Sequence, residues 1–260
     1  MKLIRYPILA AHTSISHFCT ARIGGVSSGN YGTCNISPYS GDLPENQKRN
    51  LQLLCNEIKI APNQLVFPYQ THGNIVKVID DEFLQLSTNN RTEFLNGVDA
   101  LITQLPAICI GVTTADCVPI LIYDPVNKAI AAVHAGWRGT NSRIVQKTIQ
   151  AMQVLYGTHP ENVLVSIGVS ISPDAYNVGE DLLLEFENSG FPTELIFCKK
   201  EEILYLDLWK ANKWLLTEMG VPVSQIDIAN ICSYTNADIY FSARKLGLKS
   251  GRMLSAIMLN

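Results

Sequence analysis

Residues 118–157 read VPILIYDPVNKAIAAVHAGWRGTNSRIVQKTIQAMQVLYG, and this stretch alone predicts three elements. Val118–Tyr123 and Ala129–Val133 are β-rich apolar runs separated by the turn pair Asp124-Pro125. The second run is almost continuously apolar, as a strand covered on both faces should be. Beyond the small residues around Gly136 and Gly139, Ile144, Val145, Thr148, Ile149, Met152 and Leu155 recur at helical spacing until Gly157 stops the helix. A doubly covered strand leading into an amphipathic helix points to a layered fold of sheets and helices.

The same reading extends outward. Ala100–Thr103 and Ile108–Val112 are strands on the amino-terminal side, and Val163–Ile167, Ile226–Ile231 and Met253–Leu259 on the carboxy-terminal side. Two short runs, Leu65–Tyr69 and Ile75–Ile79, flank the turn Thr71-His72-Gly73-Asn74. Tyr6–Ala11 is expected to be the first strand. Helices are expected at Glu45–Ile58, after Pro44, at Glu180–Glu187, and from the cap Asp207 through Leu208, Ala211, Leu215 and Met219 to Gly220. Between them, residues 24–42, GGVSSGNYGTCNISPYSGD, cannot be regular throughout. Strands and helices are interspersed without strict βαβ alternation. The expected fold class is therefore α+β, a single layered domain with mixed β-sheets over residues 1–260.

Composition excludes several functions. With 260 residues, 47% hydrophobic and 17% charged, the chain can bury a large core without a disulfide or metal to hold it. The net charge of −3 argues against a partner bound by neutralising nucleic-acid phosphates. The most apolar charge-free stretch, residues 100–115, is interrupted by Gln104 and Pro106 and falls short of the roughly 18 residues a membrane span needs. The apolar run Tyr6–Ala11 is likewise too short for the core of a signal peptide. Seven cysteines, an odd number with no CxxC spacing, indicate neither a disulfide framework nor a zinc ribbon. A cytoplasmic protein with reduced cysteines is expected, a monomer or homodimer.

Only five histidines are present, so each can be weighed. His72 lies in a turn, His134 ends the buried strand, and Cys117 falls between two strands in Thr114-Ala115-Asp116-Cys117-Val118. Such spacings are too wide for a local zinc finger but suit three strand ends converging in space. A His₂Cys set leaves one coordination position open, which is the catalytic type of zinc site. Each residue also has a plainer reading: a satisfied structural histidine, or a core cysteine. Asp116 would orient a ligand or carry a proton beside such a site, and is otherwise a turn-forming residue. Small residues and Arg138 after His134 suit an anion, as do Arg22 and the loop Gly24-Gly25-Val26-Ser27; a glycine turn explains both equally.

Taken together, these segments resemble the YfiH family, also called the multicopper polyphenol oxidase (laccase) domain family. The likeness is carried by Thr20–Ser27, Tyr31–Asn35, Gly41-Asp42, Gln70-Thr71-His72, Asp99-Ala100-Leu101, Ala115–Ile120, Val133–Gly139, Phe241–Arg244 and Gly251-Arg252-Met253. It implies that His72, Cys117 and His134 ligate zinc and that Arg22 belongs to the active site. Arg22, Gly25, Ser27, Asn35, Gln70 and Arg138 are then the expected residues for substrate and phosphate, with Arg22 also catalytic and Asp116 as proton carrier. Where the family often carries a cysteine pair, this chain has Asp174-Ala175, which leaves the three ligands untouched.

The implied activity is zinc-dependent phosphorolysis of purine nucleosides (adenosine, inosine, guanosine, methylthioadenosine), with adenosine deamination. Its partners would be a purine nucleoside and phosphate, not nucleic acid or a membrane. Five histidines are too few for a four-copper oxidase, although a single copper on His₂Cys survives the count. Two further classes use the same residues. In one, Cys117 and His134 form a metal-free amidohydrolase editing peptidoglycan precursors; in the other, zinc only clamps strand ends.

Overall fold

Val118–Asp124 and Ala129–Ala135 pair antiparallel, Ile120 opposite Val133, at the centre of a six-stranded sheet. The computed structural model describes all of residues 1–260. The sheet runs in the order Ile226–Ile228, Leu164–Ile167, Val118–Asp124, Ala129–Ala135, Ala100–Thr103, Val76–Val78. Its inner pairings are antiparallel and its two outermost are parallel, so it is mixed as expected. A five-stranded sheet follows the order Leu3–Ile4, Ile15–Thr20, Met253–Leu259, Cys109–Thr114, Leu65–Val66. A third, of three short strands, joins Asn177–Val178, Ile203–Leu206 and Phe197–Lys200.

Alternation along Ala129–Ala135 sorts the layers. Ala129, Ala131, Val133 and Ala135 pack with Ile149, Met152, Leu215 and Leu216, from the helices Ile144–Tyr156 and Leu208–Glu218. Ile130 and Ala132 face the other way and pack with Leu121, Ile110, Val112 and Ile257, between the two large sheets. The far face of the five-stranded sheet, Phe18, Cys109, Leu254 and Ala256, is covered by Leu54 and Cys55 of the helix Pro44–Ile58. The result is four layers: helices, sheet, sheet, helix. Both faces of the central hairpin are buried, which explains its unbroken apolar sequence. Each fully buried Leu or Ile between the sheets contributes about 1.5–3 kcal/mol.

Local signals set most element ends. Gly157 closes its helix at φ 67, and the Asp207 carboxylate accepts the N–H of Lys210 at 2.8 Å as a cap. Tyr6–Ala11 is not a strand. Pro7 opens a short helix, Pro7–Ala10, because its fixed φ and missing N–H suit a first helical turn. Strand pairing instead falls to Leu3–Ile4 and Ile15–Thr20. In the latter, the buried His17 accepts the N–H of Tyr6 at Nε2, 2.8 Å. The run Leu65–Tyr69 stops at Val66, before Pro68, and Ile226–Ile231 stops at Ile228, before Asn230 turns to φ 53.

Candidate metal centre and active-site cavity

Three chain breaks meet at one end of the paired sheets. His72 sits in its turn at φ 62; Cys117 follows Asp116, whose φ is 87, in the break between Thr114 and Val118; His134 lies near the end of the central strand. One ligand atom from each of His72, Cys117 and His134 lies within 4.8 Å of the others. The two imidazoles stand edge to face, with centroids 4.9 Å apart.

A single carboxylate organises the group. Asp99, fully buried at the start of the Ala100–Thr103 strand, accepts the N–H of Thr71 at 3.3 Å, of His72 at 3.1 Å and of Gly73 at 2.7 Å. Its Oδ1 also lies 2.7 Å from Nδ1 of His134, leaving Nε2 of that ring for a ligand. Burial opposes ionisation of Asp99, but the imidazole and the N–H groups of Gly73 and Thr71 hold its carboxyl below the usual range. Burial likewise pushes the Cys117 thiol up; His134 and His72 overcome it and bring it down to about 6, favouring thiolate. Gly136 gives the cluster its room. A Cβ there would lie 3.1 Å from Cys117 Sγ and 3.2 Å from His72 Cδ2.

The donor chemistry fits a zinc ion. Two imidazoles and a thiolate converge, one ring is held in the correct tautomer by a carboxylate, and the side facing a cavity of about 600 Å³ carries no fourth protein ligand. A blue-copper site takes the same three donors with a weak axial methionine, glutamine or backbone oxygen. No methionine lines the cavity, and the side-chain carbonyl of Gln70 is engaged by the Thr113 N–H at 2.7 Å.

Other expected site residues fall into two groups. Asp116 and Gln70 do line the cavity. Yet Asp116 already accepts from Ser233 Oγ at 2.6 Å and from the Arg244 N–H at 2.7 Å, one bond per oxygen. The Gln70 amide closes both ends on the Thr113 backbone, holding the His72 turn to the strand Cys109–Thr114. Arg22, Gly25, Ser27, Asn35 and Arg138 are not brought into the cavity wall. Arg22 donates to the carbonyls of Gly32, at 2.9 Å, and Ala237, with its guanidinium over Phe241. Ser27 donates to Asp42 at 2.6 Å, and the buried Asn35 amide to Ser40 at 2.8 Å. Gly25 is needed because a Cβ would lie 2.3 Å from the Thr33 carbonyl oxygen. The anion cradle expected here is thus a loop whose donors are taken up by acceptors of the protein itself. Arg138 is exposed over the Trp137 ring.

Residues without an assigned role in the sequence complete the site. Tyr39 and Tyr69 line the cavity edge to face, their centroids 4.7 Å apart, and Arg244 and Arg252 line it as well. Asp99 had a readable signal: a carboxylate between Val98 and Ala100, in an apolar run, needs buried partners. At the replaced cysteine pair, exposed Asp174 bonds Lys200 at 2.5 Å, away from the three converging side chains.

The family described as multi-copper polyphenol oxidoreductase laccase matches residues 16–260. The chain belongs to that family. A relative named purine nucleoside phosphorylase, from Bacteroides thetaiotaomicron, is 46% identical across 100% of this chain and 97% of its own length. A second, adenosine deaminase RL5 from an unknown prokaryotic organism, is 35% identical over 94% of this chain and 93% of its own. Among solved structures, YlmD from Geobacillus stearothermophilus superposes at TM-score 0.89 with 25% identity, covering 100% of this chain and 98% of that one. YfiH from Bacillus licheniformis does so at 0.88 with 28% identity, over 95% and 93%. The laccase family's layered, mixed-sheet fold is therefore the fold of this chain, and its curated relatives carry enzyme names. No helix is long and apolar enough to cross a membrane.

Proposed function

We propose that this chain is a zinc-dependent purine nucleoside phosphorylase that also deaminates adenosine, with residues 1–260 acting as one catalytic unit in the cytoplasm. The convergence of His72, Cys117 and His134 beside a nucleoside-sized cavity carries the reading, with the names of the 46% and 35% identical relatives in support. Its substrates are adenosine, inosine, guanosine and methylthioadenosine, with phosphate; nucleic acid and membranes are not partners, and the unit is a monomer or homodimer.

In phosphorolysis a phosphate oxygen bonds the anomeric carbon as the glycosidic bond breaks; its electron pair goes to the purine nitrogen, which takes a proton. Tyr39 and Tyr69 offer the purine an aromatic surface. Asp99 orients the His134 imidazole and holds the backbone of the His72 turn, and Asp116 holds the Arg244 segment to the wall. Deamination replaces the purine amino group by a water oxygen and releases ammonia. Zinc, when bound, supplies the Lewis acidity that brings the pKa of a bound water toward 7. The test is incubation of metal-analysed protein with adenosine, with and without phosphate. Adenine forming only with phosphate, and inosine in both, supports the reading. Neither product, or an unaffected Cys117→Ala variant, defeats it.

One observation favours a second reading. Asp99, His134 and Cys117 also form a chain of the kind that activates a thiol nucleophile, which would suit the metal-free amidohydrolase. Chelation stops the zinc enzyme and spares the thiol enzyme.

A further inference from the structure

The ion pairs of this protein involve the amino terminus, His134, His159 and three lysines; no arginine takes part in one. Two of those arginines, Arg244 and Arg252, line the cavity beside the metal centre. They are its only lysine or arginine side chains, and its only carboxylate, Asp116, is occupied by Ser233 and the Arg244 backbone N–H. Both guanidinium groups are held by neutral acceptors. Arg252 donates to the carbonyls of Ser250 at 2.7 Å, Gly251 at 3.0 Å and Leu248 at 3.1 Å. Arg244 donates to Asn177 Oδ1 at 2.7 Å and stacks over Tyr176. These contacts fix the positions of the two cations without cancelling their charge. A second, independent feature lies in the same wall: Thr114, 1% exposed, has a hydroxyl with no hydrogen-bond partner. A buried hydroxyl left open calls for a partner, and an anion in the adjoining cavity would supply one.

We infer that Arg244 and Arg252, with the Thr114 hydroxyl, form the phosphate subsite of this cavity, and that the phosphate it takes is inorganic. The choice of inorganic phosphate rests on the phosphorolytic reading above; the anion subsite rests on the unpaired guanidinium groups. Arginine forks match phosphate oxygens, and a doubly charged anion there neutralises both cations beside the reacting centre.

Isothermal titration of the zinc-loaded protein with inorganic phosphate, and separately with adenosine 5′-monophosphate, tests this. Wild type is expected to bind inorganic phosphate, with Arg244→Gln and Arg252→Gln each weakening it about tenfold or more. Lys245→Gln, an exposed neutral-for-charged change beside Arg244, is expected to leave it unaltered. Because Arg252 also braces its own loop, Arg252→Lys and melting curves accompany it: a folded lysine variant with intermediate affinity agrees with the assignment. In turnover, both glutamine variants should raise KM for phosphate. Phosphate binding unchanged in both glutamine variants overturns the subsite. Adenosine 5′-monophosphate binding through these arginines, without inorganic phosphate binding, overturns the inorganic assignment. Phosphate binding lost in the variants of a protein that performs no phosphorolysis defeats the proposed function and leaves the subsite standing.

Discussion

Asp99 Oδ1 and His134 Nδ1 lie 2.7 Å apart, with side-chain exposures of 0% and 4%. That contact decides which imidazole nitrogen faces the cavity side. The same carboxylate receives the backbone of the His72 turn, so one buried group holds one ring and the turn that carries the other. Asp99→Asn replaces an acceptor with a group that also donates, against three N–H donors. Zinc affinity is expected to fall about 10–100-fold. Competition against a chromogenic chelator reads this directly; equal affinity in the two proteins would break the link.

Gly136→Ala adds a methyl 3.1 Å from Cys117 Sγ. The backbone there, at φ −67, accepts alanine, so the effect is purely steric. Destabilisation of about 1–3 kcal/mol is expected, together with substoichiometric zinc. Denaturant melts and metal analysis after gel filtration report the two effects separately.

Tyr69→Ala removes one ring of the aromatic pair on the cavity wall. Base-to-ring stacking is worth about 1–3 kcal/mol, so KM for adenosine should rise about tenfold or more. Zinc content should stay at the wild-type value, since the Tyr69 side chain makes no hydrogen bond to His72, Cys117, His134 or Asp99. An unchanged KM places the purine elsewhere.

His17 gives a pH signature far from the cavity. Burial, reinforced by the Arg5 charge, pushes its pKa down to about 4, and its neutral ring accepts the Tyr6 N–H. The unfolded chain protonates near the usual value of about 6.5. Between about 4 and 6.5 the unfolded state therefore binds more protons, and stability falls as pH is lowered through that window. The loss is on the order of 3 kcal/mol at most. Denaturation midpoints of wild type and His17→Gln, followed from pH 7 to pH 4, should converge as the pH drops.

Leu121→Ala empties a fully buried position between the two large sheets. A cost of about 2–5 kcal/mol is expected, measured as a shift in urea midpoint with an unchanged slope.

The central hairpin and the long helices were legible because burial on two faces and helical spacing both leave marks in sequence. The strands Phe197–Lys200 and Ile203–Leu206 were not. Their turn uses Glu201 and Glu202 at φ 47 and 64, without the glycine or asparagine that usually signals such a turn. The helices Asp81–Gln85 and Thr88–Phe94 are short, and only their caps, Asp80 and Ser87, announce them. In the site, residue type pointed to His72, Cys117 and His134, and their meeting depended on two loops and a strand end that no local pattern relates. Arg22 and Ser27 looked free because sequence shows donors but not the carbonyls and carboxylate that engage them.

Alternation along Ala129–Ala135 puts His134 on the same side as Ile130 and Ala132, while Val133 and Ala135 point to the helices. Inserting one residue early in that strand would rotate the imidazole into the helix layer and present a valine or alanine to Cys117. A longer Asp124–Ala129 connection leaves that facing unchanged, whereas a shift of the strand by a single step reverses it. The spacing from that turn to the histidine sets which face of the sheet carries the imidazole.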